Sequence, residues 1–152
     1  MNREIKFRGR RCRDGEWVYG SYVESHSSWK GCKPHKSWIL PSPMTNGGWF
    51  SIRGAFPVKE ETVGQYTGLK DKNGKEIYEG DLVCLYSAFW QEEPELCEVR
   101  WVCEKARFEY ICSDGVHFIL PQDVFEIEVI GNIHDNLELL KGDGKSKINL
   151  NK

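Results

Sequence analysis

No stretch of this chain is apolar for anything near the roughly 20 residues that cross a bilayer, and its opening, MNREIKFRGRRCR, lacks the apolar centre of a secretory leader. A cytoplasmic protein with no membrane partner is therefore expected. Its six cysteines, Cys12, Cys32, Cys84, Cys97, Cys103 and Cys112, are read as reduced thiols on the same ground. An excess of charge is also missing: 21 Lys and Arg stand against 23 Asp and Glu, a net −2, so net charge argues for neither a nucleic-acid nor a membrane partner. GxSxG, HExxH, a P-loop and a dinucleotide fingerprint are absent, and the four histidines sit in unrelated contexts. Those absences speak against an enzyme and against a cofactor. There is no internal repeat and no heptad.

What the chain does have is strand chemistry. Trp17, Trp29, Trp38, Trp49, Trp90 and Trp101 are spread among many Val, Ile, Tyr and Phe, residues that suit a pleated, half-buried surface. At 152 residues the chain has one-domain length, or that of a domain with a smaller layer, and can bury a core without metal or disulfide.

Turn signals fence the strands. EIKFR runs through Gly9 and Asp14-Gly15 into WVYGSYVE, a hairpin pattern. Between Ser25 and Pro57 the pattern loosens around Pro34, Pro41, Pro43, Gly47 and Gly48, with short strand-like pieces at SWIL and WFSI. From Val63 it tightens: VGQYTG, then LKDKNGKEI with Asn73-Gly74 at the tip, then EGDLVCLYS, where Gly80 turns and Asp81 can cap neighbouring amides. Period-two alternation places Cys97, Val99 and Trp101 on one parity of CEVRWV. It does the same for Phe108, Tyr110 and Cys112 in RFEYIC, and for Phe125, Ile127 and Val129 in VFEIEVI with Glu126 and Glu128 opposite. One face is predicted buried and the other wet. HDNLELL can start a short helical turn capped by Asp135 or Asn136. The polar, aperiodic KGDGKSKINLNK reads as a frayed tail.

The opening REIKFRG, the central VGQYTGLKDKNGKEIYEGDLV and the closing FEIEVIGNIHDNLELL together resemble the YopX family of phage and prophage proteins. This chain has HDNLELL where that family commonly carries a YENPELL form, so the capping proline is missing. The resemblance implies an SH3-like barrel in the C-terminal part, a mobile-element origin in a bacterial host, and no catalytic residues to transfer. The expected fold is therefore mainly β. It comprises an N-terminal β-hairpin layer with an irregular excursion over 1–57, a small SH3-like β-barrel with a short C-terminal helical turn over 58–140, and a disordered tail over 141–152.

Candidate sites are few. Cys32 and His35 with His26 have metal-binding residue types but no CxxC or HxxxH partner, so exposed loop residues are the preferred reading and no metal is assigned. Cys84, Cys97, Cys103 and Cys112 read as core residues. His117, beside Phe118 and Ile119, reads as a structural histidine, and His134 as a polar helix-entry residue. In the loop SAFWQEEPEL, Trp90 beside Glu92 and Glu93, together with Tyr86, makes a candidate protein-binding set. Arg8, Arg10, Arg11 and Arg13 could contact phosphate, but an extended run would divide them between two faces, and a charged edge strand is the preferred reading. The expected function is thus a non-enzymatic phage or prophage accessory protein that binds an unknown protein partner from host or phage. The alternative is nucleic-acid binding in phage replication or transcription control. Exposed strand edges leave homo-oligomerisation open.

Overall fold

The computed structural model describes residues 4–24, 36–41, 54–87, 94–112, 115–119, 125–136 and 138–139. Among the described residues eleven strands appear in the order β1 (Phe7–Arg10), β2 (Trp17–Glu24), β3 (Ser37–Leu40), β4 (Phe56–Pro57), β5 (Gly64–Lys70), β6 (Glu76–Tyr78), β7 (Asp81–Ser87), β8 (Glu95–Val102), β9 (Arg107–Cys112), β10 (His117–Ile119) and β11 (Phe125–Asn132). The expectation of a mainly β protein holds. The chain divides into two compact units, Met1–Gly68 and Leu69–Lys152.

In the first unit the strands lie in the order β4-β3-β2-β1-β5, each pair antiparallel. The Asp14-Gly15 signal makes the predicted hairpin: Arg11 and Glu16 close the loop between β1 and β2 by a backbone hydrogen bond of 2.9 Å. Asp14 Oδ1 accepts from both the Arg11 side chain and the Glu16 amide. SWIL is a strand, with Ile39 fully buried, whereas WFSI lies outside the described residues. Gly20 is where β2 meets the chain leaving β3: at φ 155° a Cβ there would sit 1.8 Å from the Leu40 carbonyl oxygen. Only glycine fits that approach.

The second unit is an antiparallel sheet in the order β10-β9-β8-β7-β11. The SH3-like barrel implied by the resemblance is not closed among the described residues: β10 pairs with β9 and β11 with β7, so both ends of the sheet are edges. Closure would require a β10–β11 ladder. The three-residue β10 contributes only His117, Phe118 and Ile119 to pairing. On one face of this sheet Val83, Leu85, Cys97, Val99, Tyr110, Cys112 and Val129 pack with Ile77 of β6 into the core, with Leu69, Phe118 and Ile127 at its margin. At roughly 1.5–3 kcal/mol for each large aliphatic side chain removed from water, this cluster is the main source of the unit's stability. The apolar parity read from CEVRWV and RFEYIC, and Ile127 and Val129 of VFEIEVI, turn to the core along these strands, but Glu109 on the opposite parity is buried as well. Trp101 departs from its parity: near the end of β8 it is 36% exposed, with its ring 5.0 Å from that of Phe108.

Two acidic side chains do the work of turn backbone. At the Asn73-Gly74 tip, with Gly74 at φ 81°, Asp71 Oδ1 accepts the amides of Asn73 and Lys75 at 2.8 and 2.9 Å. Its Oδ2 accepts the Val129 amide of β11 at 3.1 Å. Asp81, as expected for a cap, accepts the Tyr78 amide at 2.8 Å. The C-terminal turn is capped from an unexpected residue. Asn132 Oδ1 takes the amides of His134 and Asp135, and Asn136 folds back toward the Asn132 amide, after which Glu138 and Leu139 are helical.

Burial alone would raise the Asp71 pKa, but the amides of Val129, Lys75 and Asn73 more than offset it and hold the carboxyl below its usual range. Asp71→Ala leaves three donors without their acceptor and is expected to cost about 3 kcal/mol, read as a lower urea midpoint at neutral pH. Because the folded pKa is depressed, the Asp71 contribution is complete above the unfolded carboxylate pKa of about 3.9 and fades as pH falls below it. The penalty of Asp71→Ala should therefore shrink in acid. A substitution that costs under about 0.5 kcal/mol at pH 7 would show that the turn is held by other contacts.

Candidate functional site

Part of the face of the second sheet opposite the core, over β8, β9 and β10, is ionic. Strand register sets Arg100 directly opposite Glu109, and His117 opposite Ile111, so β8, β9 and β10 bring polar and charged residues to one side. The centre of this group is Glu109, whose side chain has no exposed surface even though it points away from the core. Its cover is its own partners. Lys105 Nζ donates to both carboxylate oxygens at 3.0 Å, Arg107 Nε donates to Oε1 at 2.8 Å, and His117 Nδ1 lies 2.8 Å from Oε2. These three side chains remain 46%, 41% and 42% exposed. The hydrogen bond from His117 is the largest influence on Glu109. With Lys105 and Arg107 it overcomes the opposing effect of burial and brings the carboxyl from 4.5 to about 2.

Local sequence explains the arrangement. Cys103 to Lys105 form a short 3-10 turn that ends on Ala106 in the left-handed conformation, φ 50°. The turn places Lys105 four residues before Glu109 and on its side of the sheet. Arg107 precedes Glu109 by two residues on the same strand and shares its face by pleating. Beside them, Arg100 makes a two-point contact with Glu98, at 3.2 Å through Nε and 2.6 Å through Nη2.

A second polar group forms where β7 meets β11. Tyr86 donates its hydroxyl to Glu128 at 3.0 Å, Lys72 Nζ lies 2.7 Å from the same oxygen, and Lys72 stands 4.2 Å over the Tyr86 ring. Lys72 and then Tyr86 lower the Glu128 pKa, while burial and this contact raise that of Tyr86. Tyr86 is thus the one member of the predicted binding set with a described position, half-buried and held by Glu128. Trp90, Glu92 and Glu93 lie outside the described residues, as do Cys32, His35 and His26.

The basic N-terminal residues are placed in the first unit. Arg8 is buried, and the guanidinium groups of Arg8 and Arg10 lie 4.8 and 5.3 Å from the Trp17 ring, as their shared parity on β1 requires. Arg11 is engaged by Asp14 and Glu16 and lies over Phe56 at 5.0 Å, and Arg13 is exposed. The charged edge strand expected here is instead an interior one, since β1 pairs with β2 on one side and β5 on the other.

Three expectations need correction. Cys97 and Cys112, directly opposite on β8 and β9, are joined by a disulfide rather than held as free thiols. Cys103 is exposed in its turn, not in the core, although Cys84 is buried as expected. His117 is structural, but through a carboxylate: its apolar neighbours hid that its pleat faces Glu109. Glu109 itself went unmarked because strand alternation assigned it to water. The signal available was the closely spaced Lys105-x-Arg107-x-Glu109 run on that one parity.

Since the folded pKa of Glu109 is depressed to about 2, its stabilising effect is complete above about pH 4.5 and is lost as pH falls toward 2. Glu109→Gln should flatten the acid limb of stability across that window, measured as the urea midpoint at each pH. An acid limb of unchanged slope in the variant would remove Glu109 as its source.

No curated protein matches the chain. Among solved structures, the crystal structure of protein EF1440 from Enterococcus faecalis is similar at 27% identity with a TM-score of 0.48, covering 91% of this chain and 99% of that one. The model of the family described as YopX protein matches residues 6–141, nearly the whole chain. This protein therefore belongs to the YopX family.

Proposed function

We propose that this is a non-enzymatic phage or prophage accessory protein, acting in the cytoplasm of a bacterial host, whose second unit binds an acidic surface of a protein partner. The observation that carries this reading is the Glu109 cluster. One shielded carboxylate holds Lys105, Arg107 and His117 in fixed places while a large part of each side chain stays in water. Ordering long cationic side chains costs rotamer entropy, and here that cost is met before any partner arrives. The same geometry suits catalysis poorly. A carboxyl with its pKa brought down to about 2 is a weak base, and its oxygens are already occupied by donors.

The Lys72–Tyr86–Glu128 group and the loop bearing Trp90, Glu92 and Glu93 belong to the same reading, as contacts beyond the ionic centre. Electrostatic complementarity of this type mainly governs association rate and partner choice, so it should be sensitive to salt.

The test is capture of partners from host lysate on the immobilised full chain over a salt series, beside Arg100→Ala and Lys105→Ala. Arg100 is 52% exposed, and Lys105→Ala leaves Arg107 and His117 on Glu109, so both variants should fold. Recovery of an acidic partner is expected to drop about fivefold in each variant and to fall with salt. Equal recovery from wild type and both variants at every salt concentration would take the ionic face out of the interface.

A further inference from the structure

The Cys97–Cys112 pair lies in the core face, yet it has a polar neighbour. Cys97 is fully buried and Cys112 is 6% exposed, and the two are directly opposed in the β8–β9 ladder with their Cα atoms 4.0 Å apart. Glu95 begins β8 two residues before Cys97, so pleating returns its side chain to the same face, but at the exposed end of the strand. A carboxylate oxygen of Glu95 and the two sulfurs all lie within 4.8 Å of one another. With the S–S bond opened, two sulfurs and a carboxylate so placed supply three donors of a metal site with an open fourth position.

We propose that Glu95, Cys97 and Cys112 form a redox-gated site for a thiophilic divalent cation of the Zn2+ class. In the disulfide form no thiolate exists and the site is shut. A dithiol reductant, of the small-molecule or protein kind that bacterial cytoplasm supplies, delivers two electrons and two protons. The S–S bond breaks, two thiols form, and the reductant becomes a disulfide. The β8–β9 ladder, paired from Cys97↔Cys112 to Val102↔Arg107, keeps the separated sulfurs facing each other. A cation entering from the exposed Glu95 side takes both sulfurs as thiolates and releases their two protons to water. Glu95 supplies the third donor, and a water completes a tetrahedral set. Two thiolates favour Zn2+ over Mg2+ or Ca2+, which prefer oxygen. The cation also explains how a buried thiol pair could be charged at all: its two positive charges neutralise the two thiolates that an apolar core would otherwise reject.

Co2+ is the probe, because its coordination by thiolate produces a charge-transfer absorption that Zn2+ then abolishes by displacement. The full chain is titrated in its oxidised form and after reduction. Reduced protein should bind about one equivalent with that band, and oxidised protein should show none. Glu95→Gln, at an exposed position, should retain the fold and weaken binding about tenfold or more. The Cys97→Ser and Cys112→Ser pair should lose the band, whereas Cys32→Ser and Cys103→Ser should keep it. Circular dichroism of each variant separates loss of a ligand from loss of fold. The proposal is overturned by the absence of a thiolate band in reduced wild type, by unchanged affinity in Glu95→Gln, or by a band that follows Cys32 instead of Cys97 and Cys112.

Discussion

The second unit depends on the antiparallel register that sets Val83 against Cys97 and Val99 against Tyr110. Because successive side chains on a strand point to opposite faces, that single register assigns every residue of β7, β8 and β9 to a side. A slip of one residue would bring Glu98, Arg100 and Glu109 into the apolar cluster and expel Val99 and Tyr110 from it. The core and the ionic face are consequences of the same pairing. Asp71 adds the matching constraint at the other side of the sheet. By accepting amides from its own turn and from Val129, it ties the Asn73-Gly74 hairpin tip to β11, and the Lys72 amide reaches the Ile127 carbonyl alongside.

Within this frame the polar groups differ in what surrounds them. Glu109 is enclosed by donors and stays ionised far into acid. Tyr110, one residue on and facing the other way, is enclosed by apolar groups. Burial pushes its hydroxyl well above the ordinary phenol range, and the oxygen has no hydrogen-bond partner among the described residues. Neighbours in sequence thus sit in opposite electrostatic environments, separated by the thickness of a single strand. The contacts of Lys105 and Arg107 with Glu109 also differ from ordinary surface ion pairs, which gain little because both partners are free in water. Here the shared carboxylate has no exposed surface, and it holds the surrounding donors in place.

Much of the fold was legible. Asp14-Gly15 and Asn73-Gly74 marked their hairpins because two adjacent residues tolerant of positive φ are rare outside such turns. The three alternating segments became strands for the reason read from them, a period of two with one apolar parity. The cap supplied by Asp81 was foreseen because it acts over three residues. The cap supplied by Asp71 to Val129 spans 58 positions in sequence, and nothing local announces it. Likewise the open sheet, in place of a closed barrel, depends on whether β10 reaches β11, a matter of distance in space.

By itself, then, the sequence determined a mainly β chain of the YopX family, with its turns and the parity of each strand, since these follow from residue geometry over two to four positions. Tertiary structure alone decided which parities meet. It opposed Cys97 to Cys112 and made them a disulfide, brought Lys105, Arg107 and His117 onto one buried carboxylate, and seated Tyr86 and Lys72 on Glu128. Cross-strand register sets these contacts, and register is the sum of many weak long-range pairings that no short segment contains.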